Sequence, residues 1–242
     1  NALLAMAARA MARGEAAREP APEAEAEAGA KEAEAKAEEV PALPPALRWF
    51  PPTAAAVAGL SFMLMELVWY RMLAPILGGS SYTFGLILAV ALVGIGIGGG
   101  IYARTRAPAT LLLFAMTCTL EALAISVPYA LGDDLAILSL LLRPLSKASF
   151  GGAILAWTLV ASIVVLPAAI VSGFQFPAII GLYGRGSKGV GRDVGNAYLA
   201  NTIGSIVGSI AGGFGLLPLL SAPRCWQLVA ALLVATAVLA VV

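Results

Sequence analysis

The sequence predicts an all-α protein, a polytopic helical membrane bundle of about six transmembrane helices plus a short interfacial or re-entrant helix. Three observations predict it. The 242 residues are 60% hydrophobic and only 12% charged, with mean hydropathy +0.90, whereas soluble domains carry about 25% charged residues. The apolar residues form long continuous runs rather than alternating ones. A bilayer admits only helices or closed barrels, and continuous runs select helices. Finally, the stretch from Asp193 to Pro218 opens with polar Asn196, Tyr198, Asn201 and Thr202 and continues without charge through Gly204, Gly208 and Gly212. Glycines at every fourth position share one helix face, where another helix can approach backbone to backbone.

The chain divides at residue 50. Residues 1–50 are an Ala/Glu/Pro-rich segment. Its first 14 favour helix, and 15–46 have too little apolar content beyond alanine to build a core. This predicts a disordered or partly helical linker. Pro51-Pro52 marks the entry to the transmembrane domain, 51–242. Spans are expected at about 53–77, 82–103, 107–131, 150–171, 194–219 and 224–242. The segment 135–142, flanked by Asp133, Asp134, Arg143 and Lys147, is too short to cross. Pro167, Gly173 and Pro177 in the uncharged run after Ala148 predict a break at Ser172–Pro177. With the amino-terminal segment in the cytoplasm, Arg104, Arg106, Arg185, Lys188 and Arg192 fall inside, and only Arg143, Lys147 and Arg224 fall outside. That bias supports six spans with both ends cytoplasmic. The chain begins with Asn and ends inside an apolar run, and it reads as a piece of a longer protein.

Several chemistries are excluded or disfavoured. The chain has no histidine, so His-based acid–base, nucleophilic and metal chemistry are absent. Cys118 and Cys225 lie in or beside apolar segments and read as buried thiols, with no redox or zinc motif. Gly94-Ile-Gly-Ile-Gly-Gly-Gly100 lies inside an uncharged span, so Gly94 and Gly98 read as helix-packing residues, not a phosphate loop. The net charge of +1 gives no field for nucleic acid, and no catalytic or metal-ligating set emerges.

What remains is a candidate polar or ligand cluster: Glu66, Trp69, Arg71, Glu121, Gln175, Asn196, Tyr198 and Asn201. An ionisable group inside a span is costly and normally faces the bundle interior and a partner. Glu66 and Arg71 are five positions apart, about 140° around a helix, which makes pairing awkward. Arg71 is expected to snorkel, and Asn196, Tyr198 and Asn201 are the candidate partners of Glu66. Each carboxyl reads either as a structural lock between helices or as a ligand, proton or ion site. Gln175, beside the expected break, lines a cavity or caps a helix end. No inverted repeat between the halves is evident, which weighs against a secondary transporter.

The motifs resemble a known family. Gly59-Leu-Ser-Phe-Met-Leu-Met-Glu-Leu-Val-Trp-Tyr-Arg-Met-Leu73 is similar to the first-helix signature of integral-membrane spermidine-synthase-like proteins, with Glu66, Trp69 and Arg71 at the corresponding positions. Leu77-Gly-Gly-Ser-Ser-Tyr82, Leu92-Val-Gly-Ile-Gly-Ile-Gly98, Pro167 with Ser172–Pro177, and Val194–Gly204 followed by Gly-Phe-Gly-Leu-Leu-Pro218 resemble further family elements, so the likeness covers about 53–242. The resemblance implies a transporter-like membrane domain joined to a cytoplasmic aminopropyltransferase domain. That domain uses decarboxylated S-adenosylmethionine to extend a diamine such as putrescine. No such catalytic domain lies in these 242 residues, and no cofactor is expected in this chain. Expected partners are the lipid bilayer, the aminopropyltransferase-like domain or other subunits, and a polyamine ligand. The expected location is a bacterial inner (plasma) membrane. The expected function is to anchor and serve aminopropyl transfer or polyamine movement. The alternatives are a non-catalytic structural subunit assembled through Gly-rich helices, or a secondary transporter.

Overall fold

In the computed structural model the described residues are 43–105, 108–184 and 189–242, and they contain helices and no strand. Most of the expected linker, together with Arg106, Arg185 and Lys188, lies outside the described residues. A short 3-10 turn, Pro45–Leu47, leads into α1 (Phe50–Leu77). Then come α2 (Ser81–Thr105), α3 (Leu111–Ala130), α4 (Gly132–Leu141), α5 (Arg143–Ala148), α6 (Phe150–Gly181) and α7 (Val190–Ala211). α7 runs through a π-type turn, Gly212–Leu216, into α8 (Leu217–Leu220), and α9 (Ala222–Val241) follows. Local chemistry sets several ends. Thr110 and Ser149 cap α3 and α6 by accepting the backbone N–H of Leu113 (3.1 Å) and Gly152 (3.0 Å). Gly78 ends α1 in the left-handed region at φ 94°, where a side chain would be strained.

Among the described residues, six helical stretches are long and apolar enough to cross a membrane: Pro45–Leu77, Ser81–Thr105, Leu111–Ala130, Phe150–Gly181, Val190–Leu220 and Ala222–Val241. The chain is an integral membrane protein. Leu199, Ile203, Ile206, Val207 and Ile210 lie exposed along α7, a face that suits lipid and not water.

Two closely packed helix pairs organise the bundle, and glycines make both possible. In the first pair, Gly204 lies on Ala56, Gly208 on Leu60 and Gly212 on Leu64. Residue numbers rise together on both helices, so α1 and α7 are parallel. In the second pair, Gly94 lies on Ala169 and Gly98 on Ile170 and Phe174, so α2 and α6 are parallel as well. These directions settle the path of the connecting segment. α2 and α6 can be parallel only if α3 crosses and α4–α5 do not. Ten and six residues are in any case too short to span.

One expectation is corrected. α6 is continuous from Phe150 to Gly181, with Pro167 and Pro177 inside it and no break at Ser172–Pro177. A proline removes one helix hydrogen bond, a loss that packed membrane helices tolerate. Gly173 is needed for a different reason: a Cβ there would fall 2.6 Å from Ile95 Cα of α2.

The third pair, α3 with α9, is antiparallel. Trp226 near the start of α9 donates its indole N–H to the Ile125 carbonyl at 3.0 Å, while Ala115 near the start of α3 clusters with Ala237 and Ala240. Trp226, Ile125, Trp69, Val164 and Leu233 belong to the main core. Interhelical hydrogen bonds in membranes contribute about 0.6 kcal/mol on average and up to about 1.7. Trp226→Phe keeps most of the packing and is expected to lower unfolding free energy in mixed micelles by roughly 1 kcal/mol.

Candidate functional site

α3 presents Thr117, Cys118 and Glu121 on one face, because Glu121 lies four and three positions after the other two and such spacings share a helix face. That face meets Gln175 of α6. All four residues are buried. The Thr117 hydroxyl donates to the Phe114 carbonyl at 2.7 Å, which leaves its oxygen free to accept from Gln175 Nε2 at 3.4 Å. The same amide nitrogen lies 3.2 Å from Cys118 Sγ. Gln175 also interacts with the Glu121 carboxyl. Glu121 Oε2 is buried with no hydrogen-bond partner among the described residues. Among the described residues no Lys or Arg bonds to this group. The arrangement is a compact set of acceptors around one amide, with a carboxyl oxygen unsatisfied.

An apolar groove of about 840 Å³ borders the cluster, lined among others by Thr117, Leu120, Ile170, Phe174, Ala237 and Val238. Thr117 belongs to both the groove and the Gln175 network. Thr117 is thus the contact between the groove and the network that holds Glu121, which itself stays behind the lining.

Glu66 stands apart. It is buried on α1, 4% exposed, and forms no hydrogen bond among the described residues. Its expected partners do not reach it. Asn201 meets Gly59, seven residues before Glu66, so roughly 10 Å of helix axis separates them. Asn196 and Tyr198 are exposed, and Tyr198 stacks edge-on with Phe176 at 5.0 Å. The parallel register of α1 and α7 puts this polar entry at the end of α1 that precedes Glu66. Trp69 is fully buried with its indole nitrogen unpartnered among the described residues. Arg71 is exposed and lines a small cavity with Tyr70, Ala74 and Gly79. The structure thus joins Glu121 to Gln175 but leaves Glu66, Asn196, Tyr198 and Asn201 unconnected by hydrogen bonds.

Sequence reasoning missed Thr117 and Cys118 as partners of Gln175. Their spacing from Glu121 was the available signal, since all three fall on one helical face.

The fold and this site define the class: a polytopic helical membrane protein with acidic groups inside its bundle. Comparison of the chain with protein-family models, curated proteins and solved structures finds no match.

Proposed function

We propose that the chain is the membrane domain of a spermidine-synthase-like protein. In this reading it binds a diamine or polyamine inside the bundle, serving either aminopropyl transfer by a cytoplasmic domain or movement of the amine. The observation that carries the reading is Glu121, buried with an unsatisfied carboxyl oxygen in a cluster whose Thr117 lines an apolar groove. A buried carboxyl must hold a proton or pair with a cation. An alkyl diamine supplies both complements: an ammonium for the carboxyl and a methylene chain for the groove. Glu66 is a second buried acid able to take an ammonium.

The assembly alternative draws no support from the glycines. Gly94, Gly98, Gly204, Gly208 and Gly212 all pack against helices of this same chain.

The test replaces each acid by its neutral isostere. Glu121→Gln is expected to weaken spermidine binding roughly 30-fold or more, because removing one partner of a desolvated charge pair costs about 2 kcal/mol or above. Glu66→Gln is expected to abolish binding while the domain stays folded. Unchanged spermidine affinity in both variants, with melting temperatures like the parent's, would sink the proposal.

A further inference from the structure

The bundle contains an internal repeat of opposite orientation. The two tight pairs share one detailed register. Gly98 of α2 lies on the Ile170 carbonyl of α6, and Gly173, three residues beyond Ile170, lies on the carbonyl of Ile95, three residues before Gly98. In the other pair, Gly204 of α7 lies on the Ala56 carbonyl of α1. Gly59, three residues beyond Ala56, lies on the carbonyl of Asn201, three residues before Gly204. One step further, Gly208 meets Leu60 where Tyr102 meets the Phe174 ring at 5.1 Å.

The correspondence α1 to α6, α2 to α7 and α3 to α9 follows chain order and extends to the sequence. Residues 54–62 align with 168–176, with Ala54, Ala55, Val57, Gly59 and Phe62 matching Ala168, Ala169, Val171, Gly173 and Phe176. Burial follows the same register. Ala54, Ala55, Gly59, Ser61, Leu64, Met65 and Val68 are buried, and so are Ala168, Ala169, Gly173, Gln175, Ala178, Ile179 and Leu182. On α2 and α7, buried Ile87, Ala91 and Gly98 correspond to buried Asp193, Ala197 and Gly204. Because α1 and α6 cross in opposite directions, the operation relating the halves is a two-fold axis in the membrane plane. α3 and α9, antiparallel and in mutual contact, sit on that axis.

The same operation divides the bundle into two equivalent modules. α2, α3 and α6 form one, and α1, α7 and α9 form the other. The linker Gly78–Ser80 joins them at one face of the membrane, with Gly78 and Gly79 at φ 94° and 59°. Leu182–Gly184, which follow α6, lie at the opposite face, with Gly184 at φ 60°. Positive-φ glycines therefore follow the repeat-related α1 and α6 at the two faces.

We infer that this domain is an alternating-access transporter whose two repeat-related modules rock about the α3–α9 pair. The physical argument is degeneracy. When two repeats of one fold lie in opposite orientation, any state in which their conformations differ has a counterpart of similar energy, open to the other face, in which those conformations are exchanged. Glu121 lies on one module and Glu66 on the other. Transport goes beyond the amine-binding reading and does not depend on which cation is carried.

The test reads distances without a ligand. Cys118 and Cys225 are buried, so a polar nitroxide reagent labels introduced cysteines, with the unsubstituted protein as control. One pair, Ala130→Cys with Arg224→Cys, reports one end of the α3–α9 seam. The other, Leu112→Cys with Val241→Cys, reports the opposite end. In lipid vesicles each pair is expected to show two distances. The fraction of molecules long at one end should match the fraction short at the other. A single narrow distance at both ends overturns the inference. Counterflow of radiolabelled spermidine in the same vesicles separates this from the ligand assignment. Two distances without spermidine counterflow would uphold the rocking and reject the amine.

Discussion

Gly204→Leu is expected to destroy the folded bundle. A Cβ at this position runs into the Ala56 backbone carbonyl of α1, and backbone cannot turn aside as a flexible side chain can. Overpacking a core commonly costs about 1–3 kcal/mol and occasionally more. Here the only relief is separation of α1 from α7, so the effect is expected at or above the top of that range. Gly98→Leu should be equally damaging, because it meets the Ile170 carbonyl and sits 2.7 Å from Phe174 N on α6. Gly213→Leu and Gly96→Leu are the controls, since nothing lies within 4 Å of a Cβ at either; each should shift stability by no more than about 0.5 kcal/mol. Thermal melting followed by size-exclusion chromatography in detergent reads all four. Equal tolerance of Gly204→Leu and Gly213→Leu would refute the α1–α7 packing.

The second large effect is expected at Gln175. Its amide serves Thr117, Cys118 and Glu121 together. Gln175→Leu leaves the Glu121 carboxyl in an apolar wall with less compensation. Leaving a buried polar group unsatisfied costs about 1–3 kcal/mol, so a loss near 2 kcal/mol is expected. Removing both partners should cost less than removing one, because the stranded group disappears too. The double variant Gln175→Leu/Glu121→Leu is therefore expected to recover at least half of the loss. A double-mutant cycle measured by unfolding in mixed micelles checks this. Strict additivity would show that the two side chains are not coupled.

Much of the fold was legible because hydropathy is a direct record of contact with lipid. Every span appears as a run with few or no charges, and the ten residues of α4 are too few to be mistaken for one. The glycines were legible as a packing device, but their partners were not. Spacing shows which face is bare and says nothing of which helix covers it. The proline reading failed for a related reason. Pro177 is a strong breaker in water, but in α6 the packed neighbours maintain the helix.

The inverted repeat escaped because the matched residues are mostly Ala, Val and Gly, which recur throughout any membrane helix. Only the shared pattern of burial and of glycine-on-carbonyl contacts distinguishes Gly59 with Gly173 from chance. For the polar residues, Glu121 and Gln175 were visible singly. Their meeting depends on the α3–α6 packing, which spacing along the chain cannot supply. Glu66 was assigned partners from a helix entry that the parallel register places at the wrong depth.

The central claim is that the bundle itself holds an amine. Calorimetric titration of the purified chain in detergent with putrescine, spermidine and decarboxylated S-adenosylmethionine tests it most directly. Saturable binding of the diamine or polyamine is the expected result. A well-folded sample that binds none of the three contradicts the account and leaves the domain an anchor for chemistry done elsewhere.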